Sequence, residues 1–286
     1  MRRHLLASML LAAALTVAAT APAAAIDRGT DRDGGGGVLL ALGDSVAFGY
    51  SPLLDHTVAS NFIGYPEVAA QQLRLLDVNA SCPGEATGGF LSLIGTDNGC
   101  RVYRLLYPLH VRYRGTQMNF AIDFLRSHPK VRLVTIDLGA NDVFVLQNLC
   151  SHTPDPAACV AAGAPLVLAT IEANLRTIFS RIRGAGHYRG RLVTLSYYSL
   201  AYDPTTAASV QQLNQPIIAA TEAFGGIVAS GFDAFRPAAL AAGGSSCAAG
   251  LLIVLSPGVC DVHPSPAGRD LLARAVVKAA DHDRTH

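Results

Sequence analysis

Short apolar runs alternate with stretches of helical period along most of the chain. "VLLAL" (38–42) is apolar throughout and too short for a helix, so it predicts a buried strand. Pro66 suits a first helical turn, and 66–76 continues as a helix. "LDVNAS" (76–81) offers a short second strand. Over 117–128, Phe120, Phe124 and Leu125 predict the apolar face of a helix that His128 and Pro129 stop. "VRLVTIDLG" (131–139) is a β-rich run ending in glycine. Ile171, Leu175, Ile178 and Ile182 recur at helical spacing until Gly184. "RLVTLSYY" (191–198) is a fourth strand, 205–226 a helix interrupted at Pro216, and "IVAS" (227–230) a fifth strand. Ser265 then caps a last helix with Pro266 at its first position and Leu272 and Val276 inward.

Strands alternating with helices predict a parallel sheet covered on both faces, a three-layer α/β/α sandwich. No internal repeat interrupts the pattern, and no second boundary follows residue 38, so 38–286 is expected to be one domain. The regions 83–115, 143–165 and 240–260 are expected to be long connections. Each contains or borders a pair of cysteines, and such loops commonly line a site.

The start of the chain follows a different pattern. "MRRH" is basic, 5–19 is apolar and uncharged, and "APAAA" (21–25) supplies small residues, which predicts a signal peptide over 1–25. The polar, glycine-rich 26–37 is expected to be a flexible leader. No later stretch is expected to be long and apolar enough to cross a bilayer. The expectation is therefore a secreted, soluble monomer.

Composition narrows the partners. Lys and Arg number 22 against 21 Asp and Glu, a net charge of +1, which gives no basic excess for nucleic acid. Six cysteines suit disulfides in an exported protein. They fall into three close pairs, Cys82 with Cys100, Cys150 with Cys159, and Cys247 with Cys260, and neighbours are expected to bond. Zinc is the alternative, but no C-x-x-C occurs.

Four residues stand where strands would end. Ser45 follows the first apolar run in "GDS", at the edge where parallel sheets bind ligands. Gly84 follows Pro83 in "SCPGE", with an N–H that no side chain screens. Asn141 follows the third strand in "GAND", and Asp142 beside it is expected to cap or brace the loop. His263 precedes the last helix in "DVHP", where the last strand of the fold would end. Each has a plain structural reading: a helix cap, a turn, a polar turn, a loop histidine. Their order and spacing as a set are more specific.

That set resembles the SGNH hydrolases, also called the GDSL esterase/lipase family, over nearly the whole chain after residue 38. The cysteine pairs and "NASCPGE" are most similar to its secreted actinobacterial branch. The resemblance implies a flavodoxin-like sandwich with a five-stranded parallel sheet. It also implies acyl transfer: Ser45 as nucleophile, His263 as base, and an oxyanion hole from the N–H groups of Ser45 and Gly84 and the Asn141 amide, with no metal or cofactor. Neither a G-x-S-x-G elbow nor a phosphate-binding loop is present, and the glycines of 184–190 end a helix.

The sequence departs from the family at the third member of the triad. The usual acid lies three residues before the histidine, a place held here by Cys260; Asp261 is two before. An extended chain would put Asp261 on the same side as His263. A family-like turn would leave a main-chain carbonyl near Cys260 to orient the ring, and this arrangement is the favoured one.

Apolar segments at 88–95 and 143–149, with no tryptophan for a sugar platform, favour esters of lipids or small alcohols. A carbohydrate O-acetyl esterase and a non-catalytic binding protein on the same fold are the alternatives.

Overall fold

The computed structural model describes residues 36–281. The predicted signal peptide (1–25) and the expected leader, apart from Gly36 and Gly37, lie outside the described residues.

In chain order the elements are β1 (Val38–Gly43), α1 (Ser45–Phe48), α2 (Tyr65–Leu73), β2 (Leu76–Asn79), α3 (Thr87–Leu91), α4 (Cys100–Leu106), α5 (Gln117–Ser127), β3 (Val131–Asp137), α6 (Ala140–Cys150) and α7 (Pro156–Arg183). They continue with β4 (Arg191–Ser196), α8 (Pro204–Ala223), β5 (Ile227–Ser230), α9 (Gly231–Ala241), β6 (Leu252–Ser256), β7 (Val259–Pro264) and α10 (Pro266–Asp281).

β1 to β5 form one parallel sheet in the order β2-β1-β3-β4-β5. All six residues of β1 are buried, and so are nearly all of β3 and β4, because helices cover both faces. α2 packs with α10 on one face, and α5, α7 and α8 form the layer on the other. Ile171, Leu175, Ile178 and Ile182 are all buried on α7, and Leu272 and Val276 on α10. The carboxyl ends of β1 and β3 lie side by side, Gly43 opposite Asp137, and this edge carries the site.

Several expectations are corrected. The span 143–165 is almost entirely helical. Asp155 caps α7 by accepting the Ala158 N–H at 3.0 Å, Pro156 opens the helix, and Gly163 lets it pack close to Leu146 of α6. Residues 83–115 hold α3 and α4, and 240–260 holds β6 and the first two residues of its antiparallel partner β7. The helix predicted over 66–76 stops at Leu73, because Arg74 turns left-handed (φ 56°) and releases the chain into β2. On α5 the buried face is Met118, Ala121, Ile122 and Leu125. Phe120 and Phe124 are half-buried, with the Phe120 ring packed on Tyr113. α9 was not expected; Ser230 caps it and Phe232 and Phe235 anchor it.

α7 also corrects the membrane expectation. At 28 residues it is long and apolar enough, by length and composition, to cross a bilayer. Its second half instead supplies core residues beneath the sheet, packed against α5 and α8.

The cysteines pair as neighbours: Cys82–Cys100, Cys150–Cys159 and Cys247–Cys260. The first closes the loop after β2, the second ties α6 to α7, and the third staples the β6–β7 hairpin.

Candidate active site

Ser45 is the first residue of α1, immediately beyond β1. The turn that presents it is fixed from below by buried polar groups. Asp44 accepts the Val46 N–H at 2.9 Å, and Asp137 accepts the Ala47 N–H at 3.1 Å. Gln117 holds Gly43 on both sides, accepting its N–H at 2.7 Å and donating to its carbonyl at 2.9 Å. Gly43 has a left-handed φ of 140°, and a Cβ there would lie 2.0 Å from Asp137 Oδ1, so only glycine fits. With the Val46 and Ala47 N–H groups taken, the Ser45 N–H has no hydrogen-bond partner among the described residues.

His263 reaches Ser45 from β7, with Nε2 2.9 Å from the Ser45 hydroxyl. It lies on the two-stranded hairpin, outside the parallel sheet. The Tyr50 ring packs against the imidazole at 4.8 Å, and the Tyr198 hydroxyl donates to the Val262 carbonyl at 2.7 Å. These contacts and the Cys247–Cys260 bridge hold β7 over the nucleophile.

The partner of His263 Nδ1 is the Asp261 carboxylate, not a main-chain carbonyl. β7 is extended, so residues two apart share a side, and the favoured carbonyl arrangement is corrected. Asp261 also accepts the His263 main-chain N–H at 3.0 Å. Burial draws the Asp261 carboxyl upward, but the hydrogen bonds from His263 outweigh it and hold the group below its ordinary range.

Gly84 adopts a left-handed φ of 81°, packed so tightly on the next loop that a Cβ would sit 2.4 Å from the Asn98 carbonyl. Its carbonyl accepts the Asn98 N–H at 3.0 Å, while its own N–H has no partner among the described residues. Asn141, in the first turn of α6, is buried. Its amide donates to Glu85 O at 3.0 Å and to Asp44 Oδ2 at 3.2 Å, and its carbonyl accepts from Asn98 at 2.8 Å. Asn141 therefore links the Ser45 turn to the Gly84 loop. Asp142 braces α3, accepting both the N–H (2.9 Å) and the hydroxyl (2.7 Å) of Thr87.

The packing thus brings Ser45, His263 and Asp261 into one chain of hydrogen bonds, with Gly84 and Asn141 on adjoining loops. Sequence reasoning missed the supports: Asp137, Gln117, Glu85 and Tyr197. Only Asp137 left a signal, a carboxylate closing a mostly apolar strand. Glu85, Asp97 and Cys100 bring possible metal-binding atoms within 4.8 Å of one another. All three have structural duties: Cys100 is in a disulfide, Asp97 caps α4 and Glu85 bonds Gln117.

A hydroxyl, an imidazole and a carboxylate in line at the carboxyl edge of a parallel α/β sheet belong to the class of serine-type hydrolases. The sequence agrees with that class: residues 41–271 match the model of the GDSL-like lipase/acylhydrolase family, and the chain belongs to this family. It is a carboxylic ester hydrolase. Among solved structures it is similar to Axe2, an acetylxylan esterase from Geobacillus stearothermophilus, at 19% identity and a TM-score of 0.53, covering 86% of this chain and 94% of that one. It is also similar to LAE5, an alpha/beta hydrolase enzyme from the metagenome of Lake Arreo in Spain, at 16% identity and a TM-score of 0.51, covering 86% and 95%. At these identities the likeness is one of fold. No curated protein matches the chain.

Proposed function

We propose that the protein is a secreted serine esterase that cleaves acyl esters of lipids or small alcohols through an acyl-enzyme. The observation that carries this reading is the 2.9 Å contact between Ser45 Oγ and His263 Nε2. His263 takes the hydroxyl proton as Ser45 attacks the ester carbonyl. Asp261 fixes the ring with Nδ1 protonated and stabilises the imidazolium that forms. The carbonyl oxygen becomes an oxyanion and is received by the free N–H groups of Ser45 and Gly84. Asn141 joins them by exchanging its longer hydrogen bond, the one to Asp44. His263 then protonates the departing alcohol, and water activated by the same base releases the acid. Export is supported by the three disulfides. The lipid reading draws on the loop after α3, where Leu93 and Ile94 are exposed.

One observation favours a second reading, a carbohydrate O-acetyl esterase. The alcohol leaves on the side of the imidazole that protonates it. There Tyr50 packs on His263, followed by His56, Tyr103 and Tyr107 in successive ring contacts. Tyr50, His56 and Tyr107 are half-exposed, and such rings with polar edges suit a sugar face.

The test is hydrolysis of a p-nitrophenyl ester series from acetyl upward, with Ser45→Ala as control. Loss of nearly all turnover in folded Ser45→Ala supports the mechanism, and turnover near wild type overturns it. A preference for longer acyl chains supports the first reading; activity confined to acetyl esters supports the second.

A further inference from the structure

Beneath the Ser45 turn, two carboxyl groups meet where β1 and β3 end. Asp44 and Asp137 are each 1% exposed, and they take the adjacent Val46 and Ala47 N–H groups of the Ser45 turn. No cation lies among their hydrogen-bond partners, so two ionised carboxylates meeting there would repel, whereas one proton held between them replaces the repulsion with a hydrogen bond. The other partners decide which group holds it. Asp44 accepts the Val46 N–H at 2.9 Å, the Tyr197 hydroxyl at 2.7 Å and the Asn141 amide at 3.2 Å, and all three favour its ionised form. Asp137 has one close donor, the Ala47 N–H at 3.1 Å, with the Tyr65 hydroxyl at 3.5 Å. Asp137 is therefore the acid, and its hydroxyl supplies the fourth donor to the Asp44 carboxylate.

Resting on the Ser45 reading above, we propose that Asp44 and Asp137 act as a carboxylate–carboxylic acid pair holding one proton, that the pair positions Ser45 and Asn141, and that turnover requires the proton to stay. Between them the two carboxyls take the Val46 and Ala47 N–H groups, which leaves the Ser45 N–H for the oxyanion. Asp44 also holds Asn141 beside it. Neither carboxyl touches substrate, so both are positioning residues.

The surroundings set the direction of the pH effect. The ionisable groups facing the pair are Tyr65 of α2, on which Glu67 acts in turn, Tyr197 and Tyr198 after β4, Asp142 of α6 and His263 of β7. Burial raises Asp137 well above the ordinary carboxylate range, and the neighbouring Asp44 charge raises it further. Removing the proton at alkaline pH places two buried negative charges in contact, which drives the turn and Asn141 apart. kcat then falls on the alkaline side.

The experiment joins kcat–pH profiles with infrared spectra of the full protein. Asparagine at position 137 keeps an N–H donor for Asp44 and a carbonyl for Ala47 but has no proton to lose. Asp137→Asn is expected to lower kcat by about tenfold, the scale of one altered hydrogen bond to a charged group, with KM unchanged and the alkaline decline gone. Wild-type protein at neutral pH shows a protonated-carboxyl C=O band, and the variant loses one group's share of it. Buried Glu85 and Asp77 add to this band, so the difference between the two proteins is what is read. Asp137→Leu, which has nearly the same shape and no carboxyl, loses the same share, which keeps the test open if the asparagine variant does not fold. An unchanged band in the folded variants overturns the shared proton, and a retained alkaline decline in Asp137→Asn overturns the positioning role. The band persists in Ser45→Ala, so a failure of the nucleophile assignment is read separately.

Discussion

Asp261 and His263 lie two residues apart on one strand, and the carboxylate of the first bonds Nδ1 of the second. The other nitrogen of the ring meets a serine 218 positions earlier in the chain. Local strand geometry therefore fixes the ring's tautomer, and long-range packing fixes its target.

From the first contact, Asp261→Asn is expected to lower kcat by ~10,000-fold, because an amide at this position favours the wrong ring tautomer. Steady-state kinetics on p-nitrophenyl acetate checks it. A loss within about tenfold would return the role to a main-chain carbonyl.

Asn141→Ala is expected to lower kcat by ~100-fold or more with little change in KM, since an oxyanion donor acts in the transition state. The substitution also removes one donor from Asp44 and one from the Glu85 carbonyl. A variant with raised KM and wild-type kcat would make Asn141 a substrate-binding residue.

Stability should fall as pH rises from weakly acidic to weakly alkaline. Burial pushes the Glu85 carboxyl up to about 8 against the hydrogen bond from Gln117. The folded state then holds a proton that the unfolded chain has already lost, so each rise in pH favours unfolding, by up to about 1.4 kcal/mol per pH unit for one group. Asp77, also raised to about 8 by burial and by Glu67, acts in the same sense. Glu85→Gln should remove its own share of the slope, as read by denaturant unfolding across this pH range.

Replacing both Cys247 and Cys260 by serine should cost about 3 kcal/mol or less in stability, the scale for a short closed loop. It should also lower kcat, because β7 carries both Asp261 and His263. The same change at Cys150 and Cys159 should lower Tm without lowering kcat, since that bridge ties α6 to α7 away from β7. Thermal melts and kinetics on the two double variants separate these effects. Equal activity in both would show that the hairpin needs no staple.

The sequence by itself determined the sheet and its helices, because the apolar runs of β1, β3 and β4 and the spacing of Ile171, Leu175, Ile178 and Ile182 record which faces are buried. It also marked Ser45, Gly84, Asn141 and His263, since residues at strand ends keep a fixed order along the chain. Periodicity did not mark α6 or the first half of α7, where few apolar residues are buried and no inward stripe forms. Only the tertiary structure decided between Asp261 and a carbonyl, because the choice depends on whether 259–264 is extended, and pairing with β6 makes it so. Tertiary packing also placed Asp137 against the Ala47 N–H and Gln117 against Gly43. Such contacts join residues more than seventy positions apart, and no local pattern encodes them.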